Sequence, residues 1–238
     1  MKNQITDRAS QLALAGFEIG AIQINPEQPF LWASGTFNPI YNDNRMYLSQ
    51  LVIRRSIIQG FRELVIAHAP DTKIIAGTST AGIPHGYGLA LEMDLPFVYI
   101  RDKPKDHGKR NQIEGLAADG DFEGKEVWVI EDFFSTGGSS VKAVQAVRDA
   151  NGVVNNCSSI FTYDLPACHK MFAGLIPFSE GKTLDTPCTA HSLLHYSDLI
   201  QVGIENGFIK PEHEKTLNDW MNDQSNWGNN NGFPSVKK

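Results

Sequence analysis

Four short apolar runs without polar alternation occupy residues 73–77, 97–101, 126–131 and 158–162, with helix-patterned segments at 83–93 and 139–150 interposed. A strand with one wet face alternates apolar and polar residues, so runs that do not alternate are covered on both faces. Such strands, each feeding a helix, pack as a parallel sheet between helix layers. The expected fold class is therefore α/β, with a mostly parallel central sheet flanked by helices. Upstream, Ile5, Ala9, Leu12, Leu14 and Ala15 repeat at helical spacing up to Gly16. Residues 19–24 then read as extended, and 26–44 as a turn-rich loop carrying Phe30, Trp32, Phe37 and Tyr41. Residues 45–68 fit a helix with Leu48, Leu51, Val52, Ser56 and Ile57 inward, and 211–221 an amphipathic packing helix with Leu217, Trp220 and Met221.

At 238 residues, with 41% hydrophobic and 20% charged side chains, the chain can bury the core this class needs. Its 27 acids against 21 Lys and Arg give a formal net charge of −6, which argues against a nucleic-acid coat or a binder of anionic membranes. A small anionic ligand is still admitted, because it needs only a local positive field. Cys157, Cys168 and Cys188 are odd in number and lack CxxC spacing. Neither a disulfide framework nor a structural zinc site is expected of them, and a reducing cytoplasm suits them. No leader-like apolar stretch opens the chain and no run approaches a membrane span. Residues 223–238 are rich in Asn, Gly and Ser and are expected to form a flexible tail.

The third apolar run continues as Val127-Trp128-Val129-Ile130-Glu131-Asp132-Phe133-Phe134-Ser135-Thr136-Gly137-Gly138-Ser139-Ser140. Two adjacent acids follow the strand at its carboxyl end, where open α/β sheets place their ligands. A Ser/Thr/Gly turn then enters a helix. Gly137 and Gly138 let backbone N–H groups approach an anion, and the helix N-terminus adds its own donors. The hydroxyls of Ser135, Thr136, Ser139 and Ser140 can add more. This is a phosphate cradle, yet no GxxxxGK[ST] occurs, and Gly86-Tyr87-Gly88 lacks the third glycine of a dinucleotide fingerprint. Acids beside a phosphate would repel it unless they served another group, and Glu131 and Asp132 suit the vicinal hydroxyls of a ribose. A phosphorylated ribose uses both halves of the motif. The competing reading is a helix-capping turn with solvent-facing acids. A second small-residue turn, Gly77-Thr78-Ser79-Thr80-Ala81-Gly82-Ile83-Pro84-His85, also joins a strand to a helix and makes a second anion site.

The 127–140 stretch resembles the phosphoribosyl-pyrophosphate (PRPP) signature of type I phosphoribosyltransferases. Tyr99-Ile100-Arg101-Asp102-Lys103-Pro104-Lys105-Asp106-His107-Gly108-Lys109-Arg110-Asn111-Gln112-Ile113-Glu114-Gly115 resembles the mobile catalytic loop of orotate phosphoribosyltransferases. Ser34-Gly35-Thr36-Phe37-Asn38-Pro39-Ile40-Tyr41-Asn42-Asp43-Asn44-Arg45 is similar to that family's N-terminal hood. The resemblance implies the type I phosphoribosyltransferase fold in one domain over residues 1–222, with a hood over 1–45 and a core over 46–222. It implies transfer of phosphoribosyl from PRPP to orotate, giving orotidine 5′-monophosphate and pyrophosphate for pyrimidine biosynthesis. It also implies a homodimer, and Mg²⁺ carried mainly by PRPP, with no dedicated metal ligands in the chain. Small-molecule substrates, and neither nucleic acid nor membrane, are the expected partners.

Carried over residue by residue, the resemblance makes Arg101, Lys105 and His107 catalytic, neutralising the pyrophosphate as it leaves. Thr78, Ser79, Thr80, Ala81 and Gly82 would hold that group. Glu131 and Asp132 would hold the ribose, with Phe133 and Phe134 completing the PRPP-binding stretch. Thr136, Gly137, Gly138, Ser139 and Ser140 would take the 5′-phosphate. Ser135 would lie near the base, and Tyr41 and Tyr163 would face orotate. Residues 101–110 carry five Lys or Arg against two acids, a local charge of +3 that leaves −9 on the remainder and suits a loop closing over a polyanion. The chain departs from the family at Asp102, where a second cation often follows the arginine. It departs again at Ala33 and Phe37, where many members carry a hood lysine, and at Tyr163, where some place an arginine. Another nucleobase as acceptor and a PRPP-sensing regulator are the alternative readings, although no helix-turn-helix or basic stripe supports the regulator.

Overall fold

The computed structural model describes residues 7–32, 34–102, 112–117 and 120–236. By their contacts these form two compact units, one within Met1–Tyr47 and Tyr196–Lys238, the other within Leu48–His195. Residues 196–222 fall in the first of these units.

The chain begins with α1 (Asp7–Glu18), whose Leu12, Ala13 and Gly16 are buried. Short strands follow: β1 (Ile22–Ile24), β2 (Phe30–Leu31), β3 (Phe37–Asn38) and β4 (Ile40–Asn42), paired antiparallel as β1 with β4 and β2 with β3. The expected helix over 45–68 is two pieces, a 3-10 turn at Asn44–Ser49 and α2 (Leu51–His68). Within α2, Ile57, Ile58, Phe61 and Val65 are buried, while Leu51 and Val52 in its first turn are exposed.

The second unit continues with β5 (Ile74–Thr78), α3 (Gly82–Glu92), β6 (Phe97–Ile100), β7 (Ile113–Glu114), β8 (Val127–Ile130), β9 (Phe133–Phe134), α4 (Gly138–Asp149), β10 (Asn156–Thr162), α5 (Pro166–Phe172) and β11 (Thr189–His195). The strand order is β11-β10-β8-β5-β6-β7, parallel throughout except for the β6–β7 hairpin. Every residue of β5, β8 and β10 is buried, the polar Asn156, Ser158, Ser159 and Thr162 of β10 included. Trp128 fills the middle, its indole N–H donating to the Ser158 hydroxyl at 2.9 Å. Helices α2 and α3 pack together, as do α4 and α5. The β5–α3–β6 and β8–α4–β10 crossovers run in opposite directions along the sheet, which puts the two helix pairs on opposite faces.

The chain then returns to the first unit with α6 (Tyr196–Glu205), α7 (Glu214–Asn222) and α8 (Gln224–Asn230). Helix α6 packs on α1, and Phe17 stacks on Phe208 at 5.0 Å. Leu217 and Trp220 of α7 are buried, as the amphipathic spacing predicts. The Trp220 indole N–H donates to Asn38 at 2.8 Å. The expected flexible tail is instead structured through Val236: Trp227 is 2% exposed, its N–H meets the Thr216 carbonyl at 3.0 Å, and Val236 N–H pairs with Gly35 O at 2.9 Å. Asn-rich composition suggested fraying, but one indole with a satisfied N–H is enough to dock the segment. Among the described residues no helix is long and apolar enough to cross a membrane.

Candidate functional site

The sheet itself opens the site. Strand β5 pairs with β8 as far as Gly77 opposite Ile130. Beyond that point the β8 line continues as β9, which pairs only with β10, through Phe133 with Phe161 and Phe134 with Thr162. A crevice therefore opens at the carboxyl ends of β5 and β8, where the winding of the sheet reverses and open α/β sheets bind ligands. It has a volume of about 440 Å³ and is walled by the ends of β5, β6 and β8 and the first turn of α4.

Glu131 and Asp132 leave β8 at this crevice. Glu131 is 8% exposed, and its Oε1 accepts from the Thr78 hydroxyl at 2.7 Å and from the Asp132 N–H at 2.9 Å. Its Oε2 accepts from the Ser140 hydroxyl at 3.3 Å. Burial and the neighbouring Asp132 carboxylate raise its proton affinity well above the ordinary carboxylate value. Its carboxylate is therefore largely spent on joining β5, β8 and α4, with one lone-pair direction left for a ligand. Asp132, only partly buried, presents the second carboxylate to the cleft.

The turn after β9 supplies donors. Gly137 has φ +85°, a conformation in which a side chain is strained, and a Cβ there would lie 3.1 Å from the Cys168 sulfur. As the residue before α4 it offers no side chain to cap the helix, so the first-turn N–H groups carry no side-chain cap where Gly138, Ser139 and Ser140 line the crevice. On the facing wall, a Cβ at Gly82 would lie 2.5 Å from both Ile130 O and the Thr78 hydroxyl, so only glycine lets the 79–82 turn sit against β8. The Ser79–Thr80 peptide bond is cis.

Of the residues expected at the site, Thr78, Ser79, Arg101, Glu131, Asp132, Phe133, Ser135, Thr136, Gly137, Gly138, Ser139 and Ser140 line one cleft. Thr80, Ala81 and Gly82 form the turn behind it and are not part of its wall. Phe134 is 1% exposed and packs edge-on against Phe172 at 5.2 Å, so it holds the turn from below. Tyr163 is 2% exposed, packed edge-on between Phe133 at 6.2 Å and Phe161 at 4.9 Å, and does not reach the cleft wall. Tyr41 belongs to the other unit, 38% exposed beside Phe30 at 5.9 Å. Lys105 and His107 lie outside the described residues. Sequence reasoning overlooked Gln112 and Lys142, both on the cleft wall. Lys142 stands three and four residues after Ser139 and Gly138, the helical spacing that shares one face, and that signal was available. Among the described residues, no group of three or more His, Cys, Asp or Glu could hold a metal ion.

No family model matches the chain. Curated relatives do, among them the following two. One is an orotate phosphoribosyltransferase of Streptococcus pneumoniae, 43% identical over 92% of this chain and 97% of its own length. The other is an orotate phosphoribosyltransferase of Enterococcus faecalis, 40% identical over 94% of this chain and all of its own length. Among solved structures, the orotate phosphoribosyltransferase of Aeropyrum pernix superposes with a TM-score of 0.65 at 21% identity, covering 83% of this chain and 99% of that one. That likeness identifies the fold as the type I phosphoribosyltransferase fold expected from the sequence. With curated relatives at this identity spanning more than nine-tenths of its length, the chain belongs to the orotate phosphoribosyltransferase family.

Proposed function

We propose that this protein joins orotate to the ribosyl carbon of PRPP, forming orotidine 5′-monophosphate and pyrophosphate, through the cleft at the ends of β5 and β8. Membership in the family supports the activity. The observation that carries the site is the opposition of Asp132 and the open first turn of α4 across one crevice. A carboxylate repels phosphate but accepts two hydroxyl hydrogens, while a helix N-terminus does the reverse. A sugar phosphate satisfies both in one orientation.

In that orientation the 5′-phosphate rests on the N–H groups of Gly138, Ser139 and Ser140, with Lys142 adding charge. The ribose hydroxyls donate to Asp132 and to the remaining lone pair of Glu131. The pyrophosphate then extends toward Ser79 and Arg101. Bond cleavage places positive charge on the sugar and negative charge on the leaving pyrophosphate. Arg101, with Lys105 and His107 carried on the adjoining segment, would stabilise the second charge as it develops. The cleft donors are carboxylate and hydroxyl oxygens, which suit Mg²⁺ in small number, so the ion would enter on PRPP, with Asp132 available to help hold it. When bound it supplies charge neutralisation of the diphosphate.

Two further expectations stay with this reading. Exposed Leu51 and Val52 on α2, with Tyr87 and Leu91 on α3, offer apolar surface for a homodimer. The three buried thiols suit a reducing cytoplasm. The activity is tested by following loss of orotate absorbance with PRPP and Mg²⁺, run beside adenine, guanine, hypoxanthine and uracil. Turnover of a purine in place of orotate would overturn the choice of base. PRPP binding without turnover of any base would favour the sensor.

A further inference from the structure

The strands that flank residues 102–111 are fastened to one another with more than a hairpin needs. Tyr99 pairs with Glu114 and Ile100 with Ile113 across β6 and β7. One step nearer the loop, the Arg101 N–H donates to Gln112 O at 2.9 Å, and the Gln112 side-chain amide donates back to Arg101 O at 2.8 Å. Side chains two apart along a strand share a face, so Tyr99 and Arg101 lie on the same side as Gln112 and Glu114. Glu114 is thus the diagonal neighbour of Arg101, and its Oε1 meets Arg101 Nη1 at 3.2 Å. The pair is half shielded, with side-chain exposures of 40% for Arg101 and 23% for Glu114. Arg101 and Gln112 both line the cleft beside Thr78 and Ser79, and the Ser79 N–H donates to Ile100 O at 2.8 Å. The fastening therefore stands directly on the anion-binding wall.

We infer that Glu114 is a positioning residue for Arg101, holding the guanidinium toward the pyrophosphate end of the cleft. The inference rests on the reading that this cleft takes PRPP. A guanidinium carries five N–H donors in a rigid plane, so one edge can remain on Glu114 while the others meet phosphate oxygens. Without that anchor the side chain samples many rotamers and must give them up on binding. The same carboxylate adds a side-chain tie between β6 and β7 to their backbone pairing, so the strand end that carries Arg101 keeps a fixed base.

Full-length protein is titrated calorimetrically with PRPP and with inorganic pyrophosphate, and assayed with orotate, as the unsubstituted chain and as Glu114→Gln, Arg101→Ala and the double variant. Glu114→Gln is expected to weaken both phosphate ligands roughly five- to tenfold, the worth of a charge-assisted contact. It should leave the KM for orotate within about twofold, a split that a general loss of structure does not produce. The double variant should bind no more weakly than Arg101→Ala alone, because Glu114 acts through that arginine. Equal weakening toward orotate, unchanged phosphate binding, or additive losses in the double variant would each overturn the inference. Should Glu114→Gln fail to fold, Arg101→Lys is the second route. A single ammonium cannot span carboxylate and phosphate as a fork does, so PRPP binding should weaken, and full-strength binding there overturns the inference too. Absence of PRPP binding by the unsubstituted protein defeats the reading of the cleft itself. Normal binding there, with an indifferent Glu114→Gln, defeats only the role of Glu114.

Discussion

The Thr78 hydroxyl donates to Glu131 Oε1 at 2.7 Å, tying the last residue of β5 to the first residue beyond β8. The bond favours the ionised carboxylate against burial and the Asp132 charge, both of which favour the protonated form. Thr78→Val keeps the shape and removes the donor. Its unfolding free energy in urea should fall by about 1–3 kcal/mol at a pH above about 8, where Glu131 is ionised, the cost of leaving a buried acceptor unsatisfied. Glu131 holds its proton more tightly folded than unfolded, so it lowers stability as pH rises above the ordinary value of 4.5. Both proteins share the unfolded value, so the deficit of the valine variant should shrink as pH falls through about 8, where folded Glu131 takes up its proton, and stay level below it. A pH-independent deficit would show that the bond does not act through the carboxylate.

Asp132 is the acid still facing the cleft. Asp132→Asn retains its shape and loses its charge. The KM for PRPP should rise roughly 10- to 100-fold, as a charged hydrogen bond is worth about 1.5–3 kcal/mol. Thermal unfolding should shift little, because the residue is only partly buried. Initial rates across a PRPP series, set beside a melting curve, check both halves.

At Gly137 the chain needs a left-handed turn with the Cys168 sulfur behind it. Gly137→Ala should cost about 1–2 kcal/mol of stability for the backbone alone. The loss of PRPP binding should exceed the loss of stability, because the N–H groups that follow must swing off their common target. Equilibrium dialysis with PRPP, compared with urea midpoints, separates the two.

Lys105→Ala is expected to leave the fold intact while lowering kcat by about 10²-fold or more, the scale for removing a stabiliser of developing charge. Near-normal turnover in steady-state assays would take that residue out of the mechanism.

His85, in the first turns of α3, is 1% exposed and its Nδ1 is buried without a hydrogen-bond partner among the described residues. Burial, helped by the Arg54 charge, lowers its pKa from 6.5 to about 4. The unfolded chain then binds the proton first, so His85 removes stability as pH falls from 6.5 toward 4. His85→Leu should flatten that limb by on the order of 3 kcal/mol. Urea unfolding at pH 7, 6, 5 and 4 would reveal the difference, and parallel curves for the two proteins would refute it. His191, also lowered to about 4, keeps part of the slope in either case.

The strand–acid–turn–helix unit from Val127 to Ser140 was legible because each part of it has one physical meaning: unalternating apolar residues, paired acids and small turn residues. Strand β11 was not. Its sequence Thr-Ala-His-Ser-Leu-Leu-His mixes polar and apolar residues, and its burial comes from tertiary partners, as His191 packs on His68 at 4.3 Å and Trp128 at 5.5 Å. No local pattern announces an imidazole that serves as an aromatic spacer. Tyr163 misled for a related reason. An aromatic at the end of a binding strand can face a ligand or support the residue that does, and the edge-on contacts of Tyr163 with Phe133 and Phe161 have no signature in the sequence. Nor is the exposure of Leu51 and Val52 a matter of pattern: Leu51 stands seven residues before buried Ile58, on the same helical face, and tertiary packing decides which turns of that face are covered. Arg101 was foreseen, but its partner Glu114 was not, since the pairing arises from strand register across a loop.

The bond from Trp220 to Asn38 closes a span of 182 residues. During synthesis, residues 48–195 leave the ribosome before α6 and α7, which finish the first unit. The opening forty residues must wait, with Asn38 and the apolar face of α1 uncovered, until α6 and α7 emerge. Contacts so distant in sequence slow folding, and exposed apolar surface in the interval invites association. The aromatic closure that makes the finished molecule orderly is thus also the step at which a nascent copy is most in need of a chaperone.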